Sequence, residues 1–229
     1  CRQQAMAPAI RPLDDALVMA GFARTGLYRE VYRVTPDENP YELEMALIDS
    51  LRRDEVAVFA CGGSRRIAPW GELLTTASRA RGAAGCVTDG FVRDIRQIRA
   101  LQFPVFHGGI APLDSKGRGM VAEIDIPVEC AGVAIAPGDL VVGDADSLAG
   151  ALTLAAFSSN PDFLDTTNVV FGGSDSNRTA TITLPPGSVG VSVVNVVVTD
   201  ITGLSATNTF TFTADYFSQL PLSLPGGGN

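Results

Sequence analysis

Apolar positions recur at helical spacing in three stretches of the first half of the chain. From Pro40 to Arg52 they fall at 43, 45, 47, 48 and 51, with proline at the start and Glu42 and Glu44 in the first turn. That pattern predicts a helix. A second helix is predicted from Gly71 to Arg81, stopped by Gly82, and a third from Asp94 to Leu101. Between them lie short apolar runs without that period: Glu55 to Ala60, Gly85 to Thr88 and Pro104 to Phe106. These predict buried strands, with Gly62-Gly63 as a turn. Residues 120–128, 132–135 and 140–142 read as further strands. Short strands alternating with helices predict an α/β layered domain on a mostly internal sheet.

Beyond residue 147 the helical period disappears. Residues 151–157, 179–184, 191–199 and 207–213 predict strands, and the last alternates Thr with Phe, so one face is buried and one wet. Turns are predicted at Gly172-Gly173-Ser174, at 185–188 and at 200–203. Strands of this spacing predict a small β-sandwich. Composition changes at the same place: residues 1–146 hold 16 of the 17 basic and 20 of the 25 acidic side chains. Threonine shifts the other way, five before the boundary and twelve after it. The expected organisation is therefore an α/β domain over 1–146, a β-sandwich over 147–214 and a disordered Pro- and Gly-rich tail over 215–229.

With 229 residues and 46% hydrophobic content, wholesale disorder is excluded. No apolar run reaches the ~20 residues of a membrane-spanning helix, so no membrane span is expected. A net charge of −8 argues against nucleic acid as a partner. His107 is the one histidine, which removes two-histidine metal centres, and no GxSxG motif offers it a nucleophile. Cys1, Cys61, Cys86 and Cys130 form no CxxC pair and read as small buried residues of a reduced protein. The chain starts at Cys1 without a signal-type apolar region and reads as a fragment; a lipidated mature N-terminus is the alternative.

The densest chemistry lies in Gly71-Glu72-Leu73-Leu74 and in Thr88 to Asp94. The first is a helix N-terminus, whose backbone N–H groups and dipole suit a carboxylate. The second ends a strand with Arg93, able to hold a carboxylate bidentately, and Asp94, able to ligand a hard cation. In the plainer alternative, Asp94 caps its helix and Arg93 makes a surface ion pair. Among weaker signals, Asp144 and Asp146 fit a turn better than a Ca²⁺ site. The Asn177 sequon reads as incidental, and Ser115 to Gly119 as a mobile surface loop.

The stretch from Trp70 to Asp94 resembles the RraA-like family. So do Phe103 to Phe106, Asp114-Ser115-Lys116-Gly117-Arg118-Gly119, Ile126 to Val128 and Pro137 to Asp146. That family includes 4-hydroxy-4-methyl-2-oxoglutarate aldolases, which also decarboxylate oxaloacetate, and RNase E inhibitors. The resemblance covers about residues 5–146 and implies a layered α/β domain of the swivelling type. It implies that Gly71 to Leu74 hold the substrate carboxylate through backbone amides. It further implies that Arg93 contacts the pyruvyl oxygens and that Asp94 is the ligand of Mg²⁺ or Mn²⁺. The implied reaction is class II retro-aldol cleavage to pyruvate through a metal-stabilised enolate, with Glu72 or Asp89 helping to position metal-bound water. A small 2-oxo acid is the implied partner and a homotrimer the implied assembly.

Against the family pattern, a strand and helix before Ala5 are missing. So is a C-terminal helix that completes the site across a trimer interface, and the chain reads as incomplete at both ends. Residues 143–214 resemble one bacterial Ig-like, cadherin-like repeat, carried by Leu152 to Pro161, Val170 to Thr183 and Val197 to Thr213. Such repeats are surface modules, structural or adhesive. The first half thus points to the cytoplasm and the second to the cell surface. The alternatives to an enzyme are a non-catalytic extracellular module and a regulator of RNase E.

Overall fold

The computed structural model describes residues 5–33, 38–143, 153–174, 177–199, 203 and 205–215. Among the described residues strands dominate, and the three α-helices are short: α1 (Glu42–Ser50), α2 (Glu72–Ala80) and α3 (Ile95–Ala100).

Four strands form the parallel centre of a seven-stranded sheet: β2 (Met19–Glu30), β3 (Glu55–Ala60), β4 (Gly85–Val92) and β5 (Val105–Ile110). β1 (Arg11–Pro12) adds antiparallel to β5. The twelve-residue β2 carries two antiparallel partners along its other edge, β9 (Leu140–Gly143) near its start and β6 (Gly119–Ile124) near its end. Periodicity did not mark β2, whose sequence mixes two glycines and two arginines with apolar residues.

Alternation along β3 divides the core. Ala57 and Phe59 face the helices, packing with Leu47 and Ile48 of α1, Ile98 of α3 and Trp70. Val56, Val58 and Ala60 face the opposite side, which is covered by the hairpin of β7 (Val128–Cys130) and β8 (Val133–Ile135) and by Met6 and Ile10. All six residues of β3 except Glu55 are fully buried, as the continuous apolar run requires. A row of aromatics, Tyr28, Phe59, Trp70 and Phe103, crosses the helical face with neighbouring centroids 5.5 to 6.1 Å apart.

The remaining strands form two further sheets. β10 (Thr153–Ser158), β13 (Gly190–Thr199) and β14 (Ser205–Ala214) make an antiparallel sheet in the order β10-β13-β14. β11 (Val169–Ser174) and β12 (Asn177–Ile182) pair as a hairpin. Both sheets contribute to one apolar cluster around Leu164, Val194 and Val196. Gly172-Gly173-Ser174, predicted as a turn, lies within β11, because the register carries pairing on to Ser174 and Asn177. The predicted Thr/Phe alternation of 207–213 holds: Phe210 and Phe212 pack on the cluster while Thr209, Thr211 and Thr213 are exposed. Asn208 breaks that pattern. It is buried and donates through Nδ2 to the Asp54 carbonyl at 3.2 Å, beside the start of β3. Asp144, Asp146 and residues 216–229 of the tail lie outside the described residues.

Candidate active site

Trp70 sets the geometry. Its ring is fully buried and stacked on Phe103. Its backbone bridges Val92 in parallel, and its carbonyl accepts from the Arg93 amide at 3.0 Å. The next residue, Gly71, is the N-cap of α2, so the start of that helix is held against the end of β4. A Cβ on Gly71 would lie 2.6 Å from Asp94 Oδ2 and 3.0 Å from Arg93 Cγ, so this approach needs glycine.

Asp94 follows β4 with φ of 58°, a left-handed conformation that aspartate tolerates better than most residues. Its carboxylate does not cap α3, the helix it precedes. Instead Oδ2 accepts from the amide of Glu72, the first residue of α2, at 3.1 Å. There it also meets the positive end of the α2 dipole. The N–H groups of Glu72, Leu73 and Leu74 precede the Thr75 N–H to Gly71 carbonyl bond of α2, so they have no acceptor within the helix. Leu73 points outward at 80% exposure, and Leu74 packs on the core.

The Arg93 guanidinium sits among three acceptors. Nη1 donates to the Ala68 carbonyl at 2.5 Å, Nε lies 3.8 Å from Asp94 Oδ2, and Nη2 lies 3.9 Å from Asp114 Oδ1. Arg93 and Asp94, with Ile95 and residues 110–113, line a cleft of about 340 Å³, a size suited to a small molecule. The pair singled out from sequence therefore lines the cleft, and the start of α2 meets it through the Glu72 amide on Asp94.

Sequence reasoning missed the groups behind Arg93. Asp114 accepts from the Tyr41 hydroxyl at 2.7 Å and from the Ser115 amide at 2.8 Å. Partial burial works to raise the Asp114 carboxyl, but these donors and Arg93 outweigh it and hold the group below its ordinary value. Burial, and then Asp114, push the Tyr41 hydroxyl up to about 12. Glu44 on α1 is 5% exposed and accepts from the buried Tyr28 hydroxyl. Burial raises the Glu44 carboxyl to about 7, although Tyr28 and Arg93 pull it the other way. Asp114 and Ser115 stood in the motif that carries the resemblance, but Glu44 looked like an ordinary first-turn acid.

Residues 1–149 match the family described as RraA-like, Aldolase/RraA. The chain belongs to the RraA-like family. Over 139 residues it is 37% identical to a protein of Halalkalibacterium halodurans named "Putative 4-hydroxy-4-methyl-2-oxoglutarate aldolase". That match takes in 61% of this chain and 62% of the relative, so the chain spans less than two thirds of the relative's length. Over 87 residues it is 33% identical to the 4-hydroxy-4-methyl-2-oxoglutarate aldolase of Thermus thermophilus, covering 38% of this chain and 52% of that one. Among solved structures it is similar to RraAS2 of Streptomyces coelicolor, described as an unusual member of the RNase ES inhibitor RraA family. The TM-score is 0.55 at 28% identity, covering 62% of this chain and 69% of that one.

Within the RraA-like region the other candidates are structural. Asp89 accepts from the amides of Cys61 at 2.5 Å and Gly63 at 2.9 Å, so its carboxylate closes the Gly62-Gly63 turn. His107 is buried in β5, where burial lowers its pKa. Cys61, Cys86 and Cys130 are buried free thiols, and burial pushes all three above the ordinary thiol value, which makes them poor nucleophiles. The segment Ser115 to Gly119 is anchored rather than loose. Ser115 is 1% exposed, and its carbonyl accepts from the amides of Arg118 and Gly119. Among the described residues no helix is long and apolar enough to cross a membrane.

Proposed function

We propose that the RraA-like region cleaves 4-hydroxy-4-methyl-2-oxoglutarate, or a related 2-oxo diacid, to pyruvate by a divalent-metal-dependent retro-aldol reaction, and decarboxylates oxaloacetate alongside. The observation that carries this reading is that Arg93 and Asp94 line one cleft while the start of α2 is held against them, the Glu72 amide donating to Asp94. The aldolase names of the relatives support it.

The described residues hold no cluster of three or more His, Cys, Asp or Glu side chains able to enclose an ion. Asp94 has one carboxylate oxygen committed to the Glu72 amide and a second available for coordination. A single carboxylate fits Mg²⁺ or Mn²⁺, which keep water ligands and borrow oxygens from substrate, better than it fits a caged zinc. Asp94 would hold the ion, and the bound ion supplies Lewis-acid polarisation of the 2-oxo carbonyl.

The protein's own groups bind the substrate and stabilise its developing charge. The Leu73 and Leu74 amides bind the substrate carboxylate at the positive end of α2. Arg93, steadied by the Ala68 carbonyl, directs N–H donors at the 2-oxo oxygen and stabilises the negative charge that develops there as the C–C bond breaks. We further propose that the region assembles as a homotrimer, with exposed Ile110 at the cleft and exposed Leu73 on α2 as apolar surface for a neighbouring subunit to cover. We further infer that residues 147–214 form a separate Ig-like module, a reading supported by their own apolar cluster.

Arg93→Ala and Asp94→Asn are each expected to lower kcat at least about 100-fold while the melting temperature stays within a few degrees. Asparagine keeps an acceptor for the Glu72 amide and tolerates the left-handed backbone, so its loss of activity isolates the charge. Normal turnover in either variant would refute the assignment. The likeness to RraAS2 favours a second reading, a non-catalytic regulator of RNase E. Capture of RNase E by a chain that releases no pyruvate would select it.

A further inference from the structure

Glu44 is an unusual residue to bury. Its neighbours on α1, Leu47 and Ile48, build the core, and Glu44 itself is 5% exposed. Buried acids are normally matched by a cation. The hydrogen bond Glu44 makes is instead to the Tyr28 hydroxyl. Tyr28 also meets the Ser115 hydroxyl, the Ser115 amide donates to Asp114, and Asp114 flanks Arg93. A continuous set of polar contacts therefore runs from Glu44 to the guanidinium at the cleft. The ionisable groups that face Glu44 are Tyr28 from β2, Arg93 from the junction of β4 and α3, and Asp114 from the loop before β6. Tyr41, three residues earlier in the chain, closes the group through Asp114.

We propose that Glu44 is a positioning residue for Arg93, whose carboxyl sets how much positive charge Arg93 leaves for an anionic 2-oxo acid. The proposal rests on the reading of Arg93 as the cation that binds such an acid. Asp94 and Asp114 already flank the guanidinium. Counting the protein's own groups, with the ion at Asp94 held constant, the set carries one excess negative charge when Glu44 is neutral and two when it is ionised, so an incoming carboxylate is held less tightly. Burial places that change near neutral pH. Linkage gives the sign: anion affinity is highest while Glu44 is protonated and falls as pH rises through its titration. Tyr28 steadies the ionised form, so removing its hydroxyl moves the titration upward.

The test is calorimetric titration of pyruvate into the full chain at constant Mg²⁺, at about pH 6 and about pH 8. Wild type is expected to bind roughly three- to tenfold more weakly at the higher pH. Glu44→Gln is expected to bind equally at both. Tyr28→Phe is expected to keep tight binding to higher pH than wild type, and it decides the matter if Glu44→Gln does not fold. Wild-type affinity that does not change with pH, or a folded Glu44→Gln that keeps the wild-type slope, would overturn the role of Glu44 and leave the Arg93 site standing. No pyruvate binding to folded wild type at either pH would overturn both.

Discussion

Strands β3 and β13 are both rich in valine, yet they are buried in different ways. In β3, Val56, Val58 and Ala60 are as deeply buried as Ala57 and Phe59, because helices cover one face and the β7–β8 hairpin covers the other. In β13, Val194, Val196 and Val198 are buried, while Val191 and Val193 are 53% and 39% exposed. The same residue type thus serves a two-sided core in one region and a one-sided sheet in the other. The difference bears on chemistry. A parallel sheet covered on both faces fixes the ends of its strands, and the cleft groups emerge there, directly after Val92 of β4. The second region presents a Thr-rich face with few charges and no comparable convergence among its described residues.

The largest effects should come from the two cores. Phe59→Ala removes a fully buried ring that packs against Tyr28 and Trp70, and is expected to cost about 3–5 kcal/mol. Pyruvate release should fall with it, since Trp70 anchors the start of α2. Leu164→Ala, at the centre of the other cluster, is expected to cost about 2–5 kcal/mol and leave pyruvate release unchanged. Scanning calorimetry beside an activity assay checks both, and loss of activity in Leu164→Ala would break the separation.

Gly71→Ala should act locally. The added methyl meets the Asp94 carboxylate and Arg93, so activity is expected to drop more than about tenfold for a stability cost of about 1–3 kcal/mol. A fully active Gly71→Ala would show that the close approach is not needed. Asn208→Ala is the smallest change. It removes the hydrogen bond to Asp54 but also a buried carbonyl oxygen without a partner, so a cost of at most about 1 kcal/mol is expected from denaturant melts. A larger cost would tie the two regions more closely.

The elements legible in the sequence are those with strong local periodicity. α1, α2, α3 and β3 to β5 fall where apolar spacing puts them, so the elements carrying Gly71, Arg93 and Asp94 are legible, while the Trp70–Val92 bridge that brings them together is not. What stayed hidden depends on tertiary closure. β2 has neither a clean alternation nor an unbroken apolar run, and its pairing with three strands determines it. Asp94 sits ahead of one helix and caps another, which no spacing along the chain reveals. Glu44 looks solvated in α1 until Tyr28 arrives from β2. Gly172-Gly173 signals a turn locally, but cross-strand pairing with Thr179 and Arg178 overrides it.

The most direct measurement is pyruvate release by the full chain from oxaloacetate and from 4-hydroxy-4-methyl-2-oxoglutarate, with Mg²⁺ and again with EDTA. An aldolase built on Arg93 and Asp94 releases pyruvate with Mg²⁺ and stops with EDTA. A folded chain that releases none under either condition, or releases it equally in both, would contradict the proposed metal-dependent site.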